Sequence, residues 1–287
     1  MKYECHGHIM ADGVSYAAAA ARHRTRVDEA EVRKALSALR ECDVSFFRDG
    51  GDKFGVSRFA KTIAPEYGID MRIPDCIVHR AGYYGELYGR AYRDMTEARE
   101  LIRETARRGA DFIKIAVSGM LDFKTDGHVM DDAINKAEIR ELVRISAGEG
   151  LSVMAHCNGA ENIKNALEAG ISSLEHGFWI DREGMDMLIE TETVWVPTLA
   201  PVACLLEADA EARAQFSENA LLSIISSHRA ALEYARDAGA LIACGSDSGA
   251  YMVPHGRGTD SERDYLAELK IDPSAANARV AEIFKRR

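Results

Sequence analysis

The sequence predicts an α/β protein, a single (β/α)8 barrel of the TIM type spanning residues 1–287. Three observations carry that expectation. Eight short apolar runs alternate with amphipathic stretches, the pattern of βα units around a parallel sheet. Gly109, Gly150, Gly170 and Gly239 each stand just past a helical stretch and lead within a residue or two into the next apolar run, as expected beyond a helix C-terminus. No GxGxxG follows the first run, which argues against an open doubly wound sheet.

The elements follow in order. The first strand covers 2–8 and its helix 28–40; the second covers 44–49, followed by a helix at 56–66. The third strand, 71–79, leaves into a long loop at 80–94 carrying Tyr83, Tyr84 and Tyr88, before a helix at 96–108. The fourth, 111–118, leaves into a second long loop at 119–132 and a helix at 133–149. The remaining strands are 151–156, 171–176, 193–198 and 241–247, with helices at 160–169, 182–190, 218–238 and 261–270. Long loops in a compact barrel are usually functional, and loops that follow strands form its active face. No break in composition marks a second domain.

Composition narrows the function. Apolar residues make up 47% of the chain, enough for a full barrel core. The net charge of −10 argues against nucleic acid and against an anionic membrane surface as partners. The longest apolar stretches, such as 241–244, are too short to span a bilayer. Lys2, Glu4 and His6 at the start leave no signal-peptide pattern. The six cysteines show no CxxC spacing and read as free core thiols in a reducing cytoplasm.

Several strand ends carry residue types that bind divalent metal, and parallel strands bring their C-terminal ends together. His6 and His8 lie two apart on the first strand, so both imidazoles point to one side. Alone, such a pair reads as a solvated chain end. His156 closes Leu-Ser-Val-Met-Ala-His and His176 closes Ile-Ser-Ser-Leu-Glu-His, at the corresponding ends of consecutive strands, which favours ligands. Lys114 sits inside an apolar strand, where an ammonium is costly unless paired or neutralised. Either it pairs with Asp111 or a helix carboxylate, or it is a depressed amine that takes up CO2 to give a metal-bridging carbamate. Asp247 ends the eighth strand, either as a turn residue or as a ligand that also accepts a proton from the attacking water. For substrate contacts, His79 and Arg80 lead from the third strand into Tyr83 and Tyr84. Arg80 is a candidate to clamp a carboxylate bidentately with a tyrosine hydroxyl assisting, or an ordinary surface charge. His255 and His128, in loops after the eighth and fourth strands, are further candidates, with solvated loop positions the alternative. Arg48 reads as a support behind the ligands or a structural residue, and the helical His23 and His228 as surface residues.

The segments CHGH (5–8), RDGG (48–51), GADFIKI (109–115), AHCNGAENIKNALEAG (155–170), SLEHG (173–177) and GSDSG (245–249) together make the chain resemble the amidohydrolase superfamily, closely its prolidase-like and imidazolonepropionase-like branch. The resemblance implies a metal-dependent hydrolase with two divalent ions, Zn2+ being the best suited. His6, His8 and Asp247 would hold one ion, His156 and His176 the other, with carboxylated Lys114 bridging them. The implied reaction is hydrolysis of an amide C–N bond in a small molecule, an N-acyl amino acid or dipeptide-like compound, by a metal-bound hydroxide with Asp247 as general base and acid. The alternatives are a lactonase or phosphotriesterase on the same site, and a mononuclear deaminase. A deaminase would place a glutamate a few residues after the fifth-strand histidine, and Glu161, five residues past His156, fits that poorly. A barrel that binds a ligand without turnover would show a lost ligand position, and none is lost. The β-sandwich that most members carry has no counterpart in this sequence, so the expectation is a minimal barrel that buries the vacated surface in a homo-oligomer, most simply a two-fold dimer.

Overall fold

The computed structural model describes residues 1–286. Nine strands run parallel: β1 (Lys2–Gly7), β2 (Val44–Asp49), β3 (Asp70–Arg72), β4 (Ile77–Arg80), β5 (Gly89–Tyr92), β6 (Ile113–Ala116), β7 (Val153–Cys157), β8 (Ser173–His176) and β9 (Val194–Val196). They pair in the orders β1-β2-β3 and β5-β4-β6-β7-β8-β9. The expected eighth strand joins the two sets without forming a regular ladder. On one side Trp195 N donates to Leu241 O and Ala243 N to Trp195 O, both at 2.8 Å. On the other, Cys5 N donates to Cys244 O at 2.8 Å and Asp247 N to His6 O at 2.7 Å. Segment 241–247 therefore lies between β9 and β1. At the opposite seam, Asp111 N donates to Ile73 O at 2.8 Å. The architecture is a (β/α)8 barrel.

Two departures from the sequence reading have local causes. The single third strand is two, because Pro74 offers no ladder donor and Asp75 adopts a left-handed backbone with φ +64. The loop expected at 80–94 contains β5, which pairs with β4 from Ile77↔Gly89 to Arg80↔Tyr92. Gly-Arg-Ala-Tyr has no apolar alternation, so the strand is imposed by its neighbour.

The helices follow the expected positions within a few residues, and several start at a side-chain cap. Asp28 accepts from Ala30 N and Glu31 N at the head of Glu29–Glu41; Asp94, Asn135, Asp181 and Ser217 do the same for later helices. The helices Tyr16–His23, Ala200–Glu207, Ala210–Arg213 and Ser274–Ile283 were not expected. The last of these seals the barrel floor. Its Ala276 and Val280, with Phe284 beyond it, pack against Cys5, Phe46, Phe112, Met154, Val194, Val196 and Ala243. A larger apolar layer fills the space between strands and outer helices. The six cysteines are all free. Among the described residues no helix is long and apolar enough to cross a membrane.

Candidate metal centre

At the C-terminal mouth of the barrel, six side chains from five strand ends converge. His6 is fully buried, with Nε2 3.0 Å from Lys114 Nζ and 3.6 Å from Asp247 Oδ1. His8 Nε2 lies 3.5 Å from the same carboxylate oxygen. The rings of His6 and His176 are 4.9 Å apart, and those of His156 and His176 4.5 Å apart. Ligand atoms of His6, His176 and Asp247 all fall within 4.8 Å of one another.

The backbone aims these groups deliberately. His6 and His8 share a face through strand alternation. His176 and Asp247 stand where alternation ends, and both adopt left-handed backbones, with φ +67 and +56. Such a conformation costs a non-glycine residue about 1–3 kcal/mol and persists only where the surroundings enforce it. Gly50 completes the packing: a Cβ there would sit 2.1 Å from His8 Cε1, so any side chain at position 50 would displace the imidazole.

Partners behind the ligands fix the ring tautomers. The acceptor-only Glu175 carboxylate takes the Nδ1 proton of His6 at 2.7 Å, which leaves the His6 Nε2 lone pair directed into the mouth. Glu175 is itself held by Arg48, whose Nη2 reaches both carboxylate oxygens at 2.8 and 2.9 Å, and by the Ser173 hydroxyl. Arg48 Nε donates to Cys5 O at 2.6 Å, and its guanidinium lies 4.4 Å over the Phe284 ring. His156 Nε2 donates to Gly119 O at 3.1 Å, freeing Nδ1, and His176 Nδ1 pairs with Thr198 Oγ1 at 2.8 Å. Glu4 ties β1 to the turn that carries Asp247, accepting from Ser246 N at 2.8 Å and Thr259 Oγ1 at 2.6 Å.

Burial sets the protonation. It holds His6, His8 and His176 well below the ordinary imidazole range and His156 down to about 3, with Lys114 adding to the effect on each. Both effects favour the neutral imidazole, the form that binds a metal. Burial also lowers Lys114 and raises Asp247, whose carboxyl is pushed further by Glu4 and Glu175. Lys114 is 2% exposed. The salt bridge that could have explained it is taken: Asp111 binds Lys61 Nζ at 2.6 and 2.7 Å and Ile73 N at 2.9 Å. His8 Nδ1 and Asp247 Oδ1 are buried without a hydrogen-bond partner. Orphaned polar atoms, imidazoles and a buried amine without a carboxylate partner around one point fit a divalent metal site.

The centre opens into a cavity of about 470 Å3, with His8, Lys114, His156, His176 and Asp247 in its wall. Of the five residues expected to meet substrate, Tyr84 lines it, stacked on His156 with ring centroids 4.5 Å apart. The other four are not among its lining residues. Arg80 emerges on the outer face of β4, opposite the inward Ile77, and its guanidinium binds Glu138 Oε2 at 2.6 Å on the helix Lys136–Gly148. Tyr83 packs 5.5 Å under that guanidinium. His79 is buried against Gly85 and Gly89 of the following loop and strand. His255 Nε2 lies 2.9 Å from Ala11 O, where it braces the loop after β1. His228 and His23 are buried rather than on the surface; His228 packs 4.2 Å from the Phe178 ring and its Nε2 lies 2.9 Å from Pro197 O. His128 is exposed beside Asp126.

The sequence reading passed over Glu175, Glu4 and Thr198. Glu4 and Glu175 had a visible signal, carboxylates inside the apolar runs 2–8 and 171–176, and period-two alternation separates Glu175 from His176. Thr198 had none, since it acts through a left-handed backbone of its own, with φ +50.

The model of the amidohydrolase family matches residues 48–272. The chain belongs to the amidohydrolase family. Within that family it is 30% identical over 169 residues to an ochratoxinase from Aspergillus niger, a match that covers 59% of this chain and 35% of the relative, so the chain spans about a third of that protein's length in the match. Among solved structures, a Xaa-Pro dipeptidase with bound methionine superimposes with a TM-score of 0.76 at 22% identity, covering 99% of this chain and 75% of the other. The Aspergillus niger ochratoxinase structure gives 0.75 at 21%, covering 96% and 68%. These superpositions bear on the fold: an amidohydrolase barrel whose neighbours are prolidase-like and ochratoxinase-like.

Proposed function

We propose that this amidohydrolase cuts an amide C–N bond at a binuclear centre. His6, His8 and Asp247 hold one divalent ion and His156 and His176 the other, with zinc preferred by the imidazole and carboxylate set. The observation that carries the reading is Lys114, a buried amine with no carboxylate partner, 3.0 Å from His6 Nε2. Because burial lowers the pKa of its ammonium, a larger share of Lys114 is free amine, whose Nζ can add to CO2. An N–C bond forms, one C=O π bond opens to a carboxylate, and the displaced proton leaves to solvent. The resulting carbamate supplies two oxygens where a lone amine supplies one nitrogen.

The ions, when bound, supply a Lewis acid for the scissile carbonyl and lower the pKa of a water enough to make it a nucleophile near neutral pH. The protein supplies the rest. Glu175 and Thr198 lock the rings of His6 and His176 through their Nδ1 atoms. Asp247, raised by burial into the range of a working base, takes the proton of the attacking water on a carboxylate oxygen and hands it to the leaving nitrogen. Phe178, Tyr84 and their aromatic neighbours keep bulk water from the centre. Glu161, the carboxylate a deaminase reading would need beside His156, is exposed and pairs with Lys164 at 3.4 Å.

Elemental analysis of protein produced with added zinc and bicarbonate tests the centre. The expected result is two ions per chain and a carbamate signal in 13C NMR with labelled bicarbonate. One ion per chain with Lys114 unmodified would replace this reading with a single-ion hydrolase.

A further inference from the structure

We infer that the substrate carries no free carboxylate: the cavity is built for a neutral amide with large flat apolar groups, anchored by the Tyr88 hydroxyl. The inference rests on the amide-hydrolase reading and names its substrate class. The cavity of about 470 Å3 suits a drug-sized molecule. Its wall beyond the ligands is almost wholly apolar, with Phe123, Phe178, Phe216 and Tyr251 facing Tyr84 and Leu205. Among the described residues that line it, the one cation is Lys114, at the floor against His6 and assigned to the metal centre. Its one acid apart from Asp247 is Glu86, exposed at the rim. Arg80, the guanidinium that could have read a carboxylate, is spent on Glu138 behind the barrel wall. With the metal centre taken up by the scissile amide, a carboxylate elsewhere in such a cavity would lose its hydration and meet aromatic rings and a rim glutamate in exchange, which is unfavourable without a paired cation. A neutral amide loses far less, and its rings gain stacking area on the wall.

Apart from His8 and Asp247 at the centre, one buried polar atom in the wall is left without a partner. The Tyr88 hydroxyl is buried, with the residue 8% exposed, and makes no hydrogen bond. Its ring lies 5.7 Å from that of His8 and 5.6 Å from that of Tyr16. A buried donor beside the metal mouth calls for an acceptor, and a neutral carbonyl of the substrate provides one. Tyr88 is thus a positioning residue that orients the amide over the centre.

The test uses two anilides matched in size, N-(4-carbamoylphenyl)benzamide and N-(4-carboxyphenyl)benzamide, with the zinc-loaded enzyme. Benzoate release gives kcat/KM and calorimetric titration gives binding. The expected result is at least tenfold higher kcat/KM and tighter binding for the carbamoyl compound, narrowed by Leu87→Arg at the exposed rim. Tyr88→Phe should raise KM for the neutral compound at least several-fold with kcat, metal content and unfolding midpoint little changed. Equal or better handling of the carboxylate, or binding of neither compound, would overturn the inference. An unchanged KM in Tyr88→Phe would remove the anchor. Tight binding of the neutral compound without benzoate release would uphold the cavity's selectivity and instead sink the hydrolase reading.

Discussion

Glu175→Leu should destabilise the metal-free protein by about 3–5 kcal/mol, the cost of leaving one partner of a buried ion pair behind. The figure follows from what the carboxylate holds. Arg48 and Glu175 are both fully buried, and the guanidinium spans both carboxylate oxygens at 2.8 and 2.9 Å. Without the carboxylate, Arg48 keeps Cys5 O and the Ser173 hydroxyl as acceptors but loses its counter-charge, and His6 Nδ1 loses its only acceptor. The second effect is on the metal. An imidazole freed from the carboxylate behind it typically costs about 10–100-fold in affinity. The double variant Arg48→Met, Glu175→Leu separates the two. Removing both charges should recover most of the stability, since an apolar pair of similar volume replaces a buried ion pair at little cost, while zinc affinity stays low because His6 remains unoriented. Urea unfolding of the metal-free proteins and competitive zinc titration supply the numbers. If the double variant regained wild-type zinc affinity, the chain of contacts from Arg48 through Glu175 to His6 would have no bearing on the metal.

Asp247→Asn should lower turnover by about 10²–10⁴-fold while zinc is retained in part, as expected when a general base is lost; wild-type rates on any amide substrate would remove Asp247 from proton transfer. Arg80→Met should change KM equally for acidic and neutral substrates and leave the unfolding midpoint little changed, as for an exposed ion pair; a loss confined to carboxylates would return Arg80 to the site. Acid sensitivity should trace in part to His228, which burial holds down to about 4, below its ordinary 6.5. Its folded value is depressed, so its contribution is present above pH 6.5 and fades as the pH falls toward 4, by up to about 3 kcal/mol. Unfolding free energies measured from pH 7 to pH 4 should fall less steeply in His228→Gln, and identical slopes would count against it.

The residues that meet at the mouth were legible because their signal is local. His6, His8, Lys114, His156, His176 and Asp247 each end or interrupt an apolar strand run, and parallel barrels collect such ends at one mouth. The substrate contacts were not legible, because they depend on which face of a strand end survives. Arg80 follows His79 by one residue, and that single step sends it to the outer helices. The pairing of β5 is imposed by β4 beside it, while the break before β4 comes from Pro74 and the left-handed Asp75 themselves. His228 looked solvated on a helix because Phe178 and Trp195, which cover it, arrive from other strands. Glu175 was visible as a charge in an apolar run, yet its role needed Arg48, 127 residues away.

The left-handed backbones at His176 and Asp247 limit how the centre can respond to different ions. Both residues are clamped into their conformation by contacts on either side, Trp195 Nε1 to His176 O at 2.8 Å and Asp247 N to His6 O at 2.7 Å. They have little freedom to follow an ion of another radius or preferred shape. A larger cation would have to fill its shell with solvent drawn from the cavity rather than by moving protein ligands. If the mouth holds the divalent ions proposed for it, selection among them would turn on how much water the aromatic antechamber admits, and a bulky hydrophobic occupant there would favour a small ion.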